Sequence, residues 1–120
     1  MRKILLWLVL TISVSTMYGQ RTVSTDSIKF FDGKTITVCS NVSSTFMTKG
    51  EQKTSFLNFG PEFPNQLFTV VIYEEDLHNF NYVPAEKLNG KNVCITGSVR
   101  MFDGAAEIIV KQQGQIKILN

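Results

Sequence analysis

From Asp32 onward, apolar and polar positions alternate in short runs separated by turn dipeptides. Asp32-Gly33 opens the first run. Within Lys34–Val42, Ile36 and Val38 share one face and Thr35 and Thr37 the other, the period of two that marks a half-buried strand. A second run, Lys53–Phe59, places Leu57 and Phe59 toward a core and is broken by Gly60, Pro61 and Pro64. Between the two, Ser43–Gln52 reads as a polar loop around Lys49-Gly50. The third run, Gln66–Tyr73, puts Phe68, Val70 and Ile72 on one face; its β-branched and aromatic content favours strand over helix.

The period then changes. Glu74–Phe80 fits one or two helical turns, with acidic residues first, where the helix dipole favours them. Pro84 opens a second short turn, Ala85–Leu88, and Asn89-Gly90 restarts the strands. Asn92–Phe102 and Ala105–Lys111 flank Asp103-Gly104, a strong hairpin signal because both central residues of a type I′ turn need positive φ. Ile116 and Ile118 are expected to close the bottom of the core. Three strands, a helical connection and two more strands is the order of the OB-fold, a small Greek-key barrel. The predicted class is all-β with one short helical connection, a five-stranded barrel whose closure spares so short a chain exposed sheet edges.

The N-terminal residues read differently. Arg2 and Lys3 form a basic start, and Ile4–Leu10 with Ile12 and Val14 form an apolar stretch too short to span a bilayer. The predicted organisation is a signal peptide over 1–19, a lead-in over 20–31 with a short helix opening near Asp26, and a barrel domain over 32–120. The alternatives are a cut after Ser15 and an uncleaved membrane anchor. A periplasmic or secreted protein is expected, without stable membrane insertion once the signal is removed. Of the 12 Lys and Arg, Arg2 and Lys3 lie in the signal, whereas none of the 10 Asp and Glu does; the remainder is balanced, ten against ten. A general grip on phosphate backbones needs a positive field that this balance does not supply.

Four stretches, Gly33-Lys34-Thr35-Ile36-Thr37-Val38-Cys39, Phe56-Leu57-Asn58-Phe59-Gly60, Pro64 to Ile72 and Gly90 to Gly97, resemble a group of small exported bacterial OB-fold domains. That group is related to the nucleic-acid-binding OB superfamily, and the likeness runs from about Asp32 to Ile118. Ser40 stands where a Gly is expected in the bending first strand, and Ala105-Ala106-Glu107-Ile108 replaces a Gly-x-Pro-Glu-Ile-like text. The resemblance implies the barrel and contains no catalytic signature. In an OB-fold the first and fourth strands pair antiparallel. Cys39 shares a face with Thr35 and Thr37, and Cys94 with Asn92 and Thr96, so a Cys39–Cys94 disulfide on the outer wall is expected. Two buried free thiols are the other reading.

No catalytic set can be assembled, because His78 is the single histidine and stands in a polar turn. Glu74, Glu75 and Asp76 are consecutive and point in different directions, unlike the alternating ligands of a cation loop. No metal, cofactor or enzymatic activity is expected. OB barrels present the outer face of strands two and three, framed by two loops. Here that face would gather Phe46, Lys49 and Lys53 from the first loop, Phe56, Asn58, Thr69, Val71 and Tyr73 from the sheet, and Arg100 beside the last loop. Aromatic rings interleaved with cations suit unpaired bases and their phosphates. The expected function is a non-enzymatic binding module for single-stranded nucleic acid or another oligomer, with weak binding. The alternative is a periplasmic protein-interaction or envelope-stress module; in either case Phe56 and Tyr73 could instead cover the barrel.

Overall fold

A computed structural model of the chain describes residues 21–61 and 65–119; the signal-peptide expectation for 1–19 lies outside the described residues. Strand β1 (Arg21–Thr22) precedes a 3-10 helix (Thr25–Phe31), followed by β2 (Thr35–Met47), β3 (Ser55–Phe59) and β4 (Phe68–Ile72). Two single-turn helices, α1 (Glu74–Leu77) and α2 (Pro84–Lys87), lead to β5 (Asn92–Phe102) and β6 (Ala105–Ile109). A 3-10 turn (Gln113–Gln115) and β7 (Ile116–Ile118) follow.

Five strands form a closed ring. β2 pairs with β3 and β3 with β4, β4 runs parallel to β6, β6 pairs with β5, and β5 returns to β2. This is an OB-fold barrel. β1 adds in parallel to β2, and β7 adds antiparallel to β5.

Closure requires β2 to serve two neighbours. Its first half, Thr35–Asn41, pairs with Ser98–Asn92, and its second half, Val42–Met47, pairs with Phe59–Ser55. The register slips between Val42 and Ser44, and the extra residue of such a bulge bends the strand from one side of the barrel to the other. Ser43 supports the bend by donating from Oγ to the Asn58 carbonyl oxygen at 2.9 Å. The expected loop over Ser43–Gln52 is therefore strand as far as Met47. The bulge breaks the alternation there, and Ser43–Thr45 offers no apolar residue to show it. The bend also lies beyond Ser40, so a glycine at that position is not what turns the strand. The third strand is shorter than the predicted Gln66–Tyr73 and begins at Phe68.

The inward faces fill the barrel. Phe59 and Phe68 face each other across β3 and β4, stacked with centroids 4.3 Å apart, and both are fully buried. Burying one such ring contributes about 2–3 kcal/mol. Ile28 from the N-terminal 3-10 helix and Leu88 after α2 extend the core beyond the strands. The stretch read as a lead-in is thus tied to the barrel through Ile28 and through the pairing of β1. At the β5–β6 turn, Asp103 has φ 52° and Gly104 φ 79°, the positive pair that the dipeptide predicted. Cys39 and Cys94 are joined, with Cα atoms 3.9 Å apart.

Candidate functional site

Side chains alternate along each strand, so the outward sets of neighbouring strands fall into rows. One row runs Ser44–Asn58–Thr69–Glu107–Arg100 across β2, β3, β4, β6 and β5. A second, parallel row runs Phe46–Phe56–Val71–Ile109–Ser98 and ends at Thr35, back on the first half of β2.

The first row is polar and internally bonded. Asn58 Nδ2 donates to Ser44 Oγ at 3.2 Å, Thr69 Oγ1 donates to Asn58 Oδ1 at 3.0 Å, and Gln66 Nε2 reaches Thr69 Oγ1 at 3.4 Å. Arg100 Nε donates to Glu107 Oε1 at 2.9 Å at the far end. The second row begins with two aromatic rings. Phe46 and Phe56 stand 6.3 Å apart at a 30° tilt, and Phe46 is 56% exposed.

Two grooves lie over these rows. The first, of about 760 Å³, runs between Phe46 and Phe56 on one side and Phe102 and Asp103 on the other, with Asn58, Thr69, Gln66 and Glu107 along its floor. Asp103 and Glu107 are its charged lining residues, so its local charge is negative. The second, of about 680 Å³, is lined by hydroxyl groups of Thr35, Thr96, Ser98 and Tyr73, by Arg100 and Lys111, and by Glu75. Arg100 lines the second groove and borders the first through its contacts with Glu107 and Phe102. Its guanidinium hydrogen-bonds the Tyr73 hydroxyl and lies 5.6 Å from the Tyr73 ring and 5.8 Å from that of Phe102. Partial burial alone would lower its pKa; the hydrogen bonds to Glu107 and Tyr73 outweigh that and raise it, which fixes the positive charge.

The structure brings Phe46, Phe56 and Asn58 together in the first groove and sets Tyr73 and Arg100 in the second. Phe46 lies on β2 rather than in the first loop. Lys49 and Lys53 stand exposed between β2 and β3 and line neither groove. Thr69 and Val71 point outward as expected but are only 6% and 1% exposed. Larger cross-strand neighbours flank them, Asn58 and Glu107 around Thr69, Phe56 and Ile109 around Val71. Ser44, Gln66, Phe102, Asp103 and Glu107 belong to the first groove without having been anticipated. The hairpin did signal Glu107, because a two-residue turn at Asp103-Gly104 sets it opposite Arg100. Nothing signalled Ser44, which reads as loop.

His78 caps α1. Among the described residues, no group of three or more His, Cys, Asp or Glu is placed to hold a metal ion. No helix among them is long and apolar enough to cross a membrane.

No protein-family model matches the chain, and no curated protein does. Solved structures match it in fold. An aspartyl-tRNA synthetase from Leishmania major Friedlin is 16% identical over 91% of this chain, with a TM-score of 0.51. The yeast Stn1 and Ten1 structure is 16% identical over 88% of the chain with a TM-score of 0.58. The aspartyl-tRNA synthetase of Entamoeba histolytica is 15% identical over 87% at 0.52. The chain spans 22% of each synthetase chain and 66% of the yeast one. Identities this low establish the OB-fold itself.

Proposed function

We propose that this chain is a non-enzymatic binding module whose first groove takes single-stranded nucleic acid. The observation that carries the reading is the Phe46–Phe56 pair, with Phe46 exposed, beside the hydrogen-bonded amide and hydroxyl groups of Ser44, Asn58 and Thr69. Rings of this kind offer stacking surfaces worth about 1–3 kcal/mol per base. Asn58, Gln66 and Ser44 supply hydrogen-bond donors and acceptors within the groove. The likeness in fold to two enzymes named for tRNA supports a nucleic-acid ligand. With Asp103 and Glu107 in the groove, binding is weak and sensitive to salt.

The test is a fluorescence-anisotropy titration with a short labelled single strand at low salt, using the wild-type protein and Phe46→Ala. Saturable binding that the variant weakens by about 1–3 kcal/mol supports the reading. No signal at high micromolar protein overturns it.

A second reading is a partner protein, as in a periplasmic interaction or envelope-stress module. The carboxylates Asp103 and Glu107 favour it, because they repel phosphate while Phe46 and Phe102, 56% and 62% exposed, remain available to an apolar partner. Capture of a partner from a periplasmic fraction that survives high salt, together with failure to bind oligonucleotide, would select this reading. In both cases the chain works outside the cytoplasm. The Cys39–Cys94 bond supports that location, since disulfides persist in oxidising compartments.

A further inference from the structure

We propose that the bound strand does not end in the first groove. Its chain continues past Arg100 and Tyr73 into the second groove, where Lys111 and the hydroxyls of Thr35 and Ser98 hold a phosphate. This rests on the nucleic-acid reading above and extends the site it describes.

Continuity is the first argument. The row that begins with the Phe46–Phe56 pair passes through Val71 and Ile109 and ends at Ser98 and Thr35, inside the second groove. The two grooves are therefore successive parts of one outer wall. Five steps between strands at about 4.8 Å each give a path of roughly 24 Å, room for several nucleotides and in keeping with the site sizes of single OB-folds.

Charge is the second argument. A nucleic-acid strand presents bases and phosphates alternately, and the wall is sorted to match. The first groove has rings and amides with two carboxylates, which suits bases and disfavours phosphate. The second groove carries two cations, Arg100 and Lys111, against one carboxylate, Glu75. Arg100 spends part of its charge on Glu107. Lys111 makes its hydrogen bonds through the backbone, N to Gln115 Oε1 at 2.7 Å and the carbonyl oxygen from Asn79 Nδ2 at 2.8 Å. Its root is thereby fixed, its side chain is exposed, and no ion pair holds it among the described residues.

The third argument is donor capacity. Thr35 Oγ1 and Ser98 Oγ meet at 3.3 Å, a contact in which one hydroxyl donates and the other keeps its proton for a ligand oxygen. An anion beside Lys111 would be met by charge and hydroxyl together, as phosphate oxygens require.

The experiment compares labelled single strands of about 3 and about 8 nucleotides, shorter and longer than one groove accommodates, with the wild-type protein and Lys111→Gln. Circular dichroism checks the fold of both. Expected is roughly tenfold tighter binding of the longer strand by the wild type. Lys111→Gln should abolish that gain, leave the shorter strand unaffected, and reduce the salt slope of the longer one by about 0.7. A length gain that survives Lys111→Gln overturns the path, as does equal weakening of both strands. A longer strand with uncharged methylphosphonate linkages should also lose the gain; keeping it would overturn the assignment of a phosphate. If neither strand binds the wild type, the nucleic-acid reading fails first and the extension with it.

Discussion

Cys39 and Cys94 stand directly opposite each other on β2 and β5, in a position where the two backbones exchange no hydrogen bonds. The bonds from Val99 N to the Lys34 oxygen and from Val42 N to the Lys91 oxygen set the phase of the ladder. Hydrogen-bonded pairs therefore fall at every second residue from Lys34, and Cys39 lies between them. Such pairs bring Cα atoms closest together, which is why the sulfur atoms can meet outside the barrel without displacing the core. Hydrogen-bonded side chains border the disulfide on both sides, Thr37 with Thr96 at 2.7 Å and Asn41 with Asn92 at 3.0 Å.

The disulfide closes a sequence separation of 55 residues. In the loop-entropy model that stabilises the fold by about 4 kcal/mol at most. A Cys39→Ala, Cys94→Ala double variant, or the wild type under reductant, should melt more than about 10 °C lower for a domain of this size. Scanning calorimetry with and without reductant checks it. Two free thiols in the non-reduced protein would exclude the bond.

Gly97 faces inward on β5 opposite Ile36. A Cβ there would stand 2.7 Å from Ile108 Cγ2 and 2.8 Å from the Ile109 carbonyl oxygen. A backbone atom cannot yield as a side-chain tip can. Gly97→Ala should therefore cost about 1–3 kcal/mol, read as a lower urea midpoint with an unchanged slope; a midpoint equal to wild type would contradict the packing described.

Glu107 lines the first groove and holds Arg100. Glu107→Gln removes a repelling carboxylate and releases the guanidinium. For a nucleic-acid ligand, affinity at low salt should rise by about 1 kcal/mol, roughly fivefold. For a basic or apolar protein partner it should fall or stay level, so one variant separates the two readings by the sign of its effect.

Burial raises the Tyr82 pKa above 10.0, and its hydroxyl is buried without a partner among the described residues. The folded protein holds this proton more tightly than the unfolded chain does. Stability from this source is complete below pH 10.0 and is lost as pH rises through the higher folded value. Tyr82→Phe should flatten that alkaline decline and add about 1 kcal/mol near neutrality by removing the orphaned hydroxyl. Urea midpoints at about pH 7 and about pH 11 measure both effects.

The sequence alone determined what depends on near neighbours. Alternation of apolar residues located the central strands, Asp103-Gly104 located the hairpin, and the change of period after Tyr73 located the two helical turns. Matching faces, together with the antiparallel pairing of first and fourth strands that the OB-fold resemblance implies, pointed to a Cys39–Cys94 bond; the structure supplied the register that sets the two residues opposite each other. The tertiary structure decided what depends on neighbours across the barrel. The bulge at Ser43 shifts the phase of β2 and carries Phe46 out of the expected loop and onto a strand beside Phe56. Val71 has the outward phase of a contact residue, yet it is buried, because exposure depends on the side chains of the adjoining strands and not on phase. Phe56 and Thr35 likewise fall in one row yet line different grooves, because that row crosses the strands in an order that closure of the ring creates.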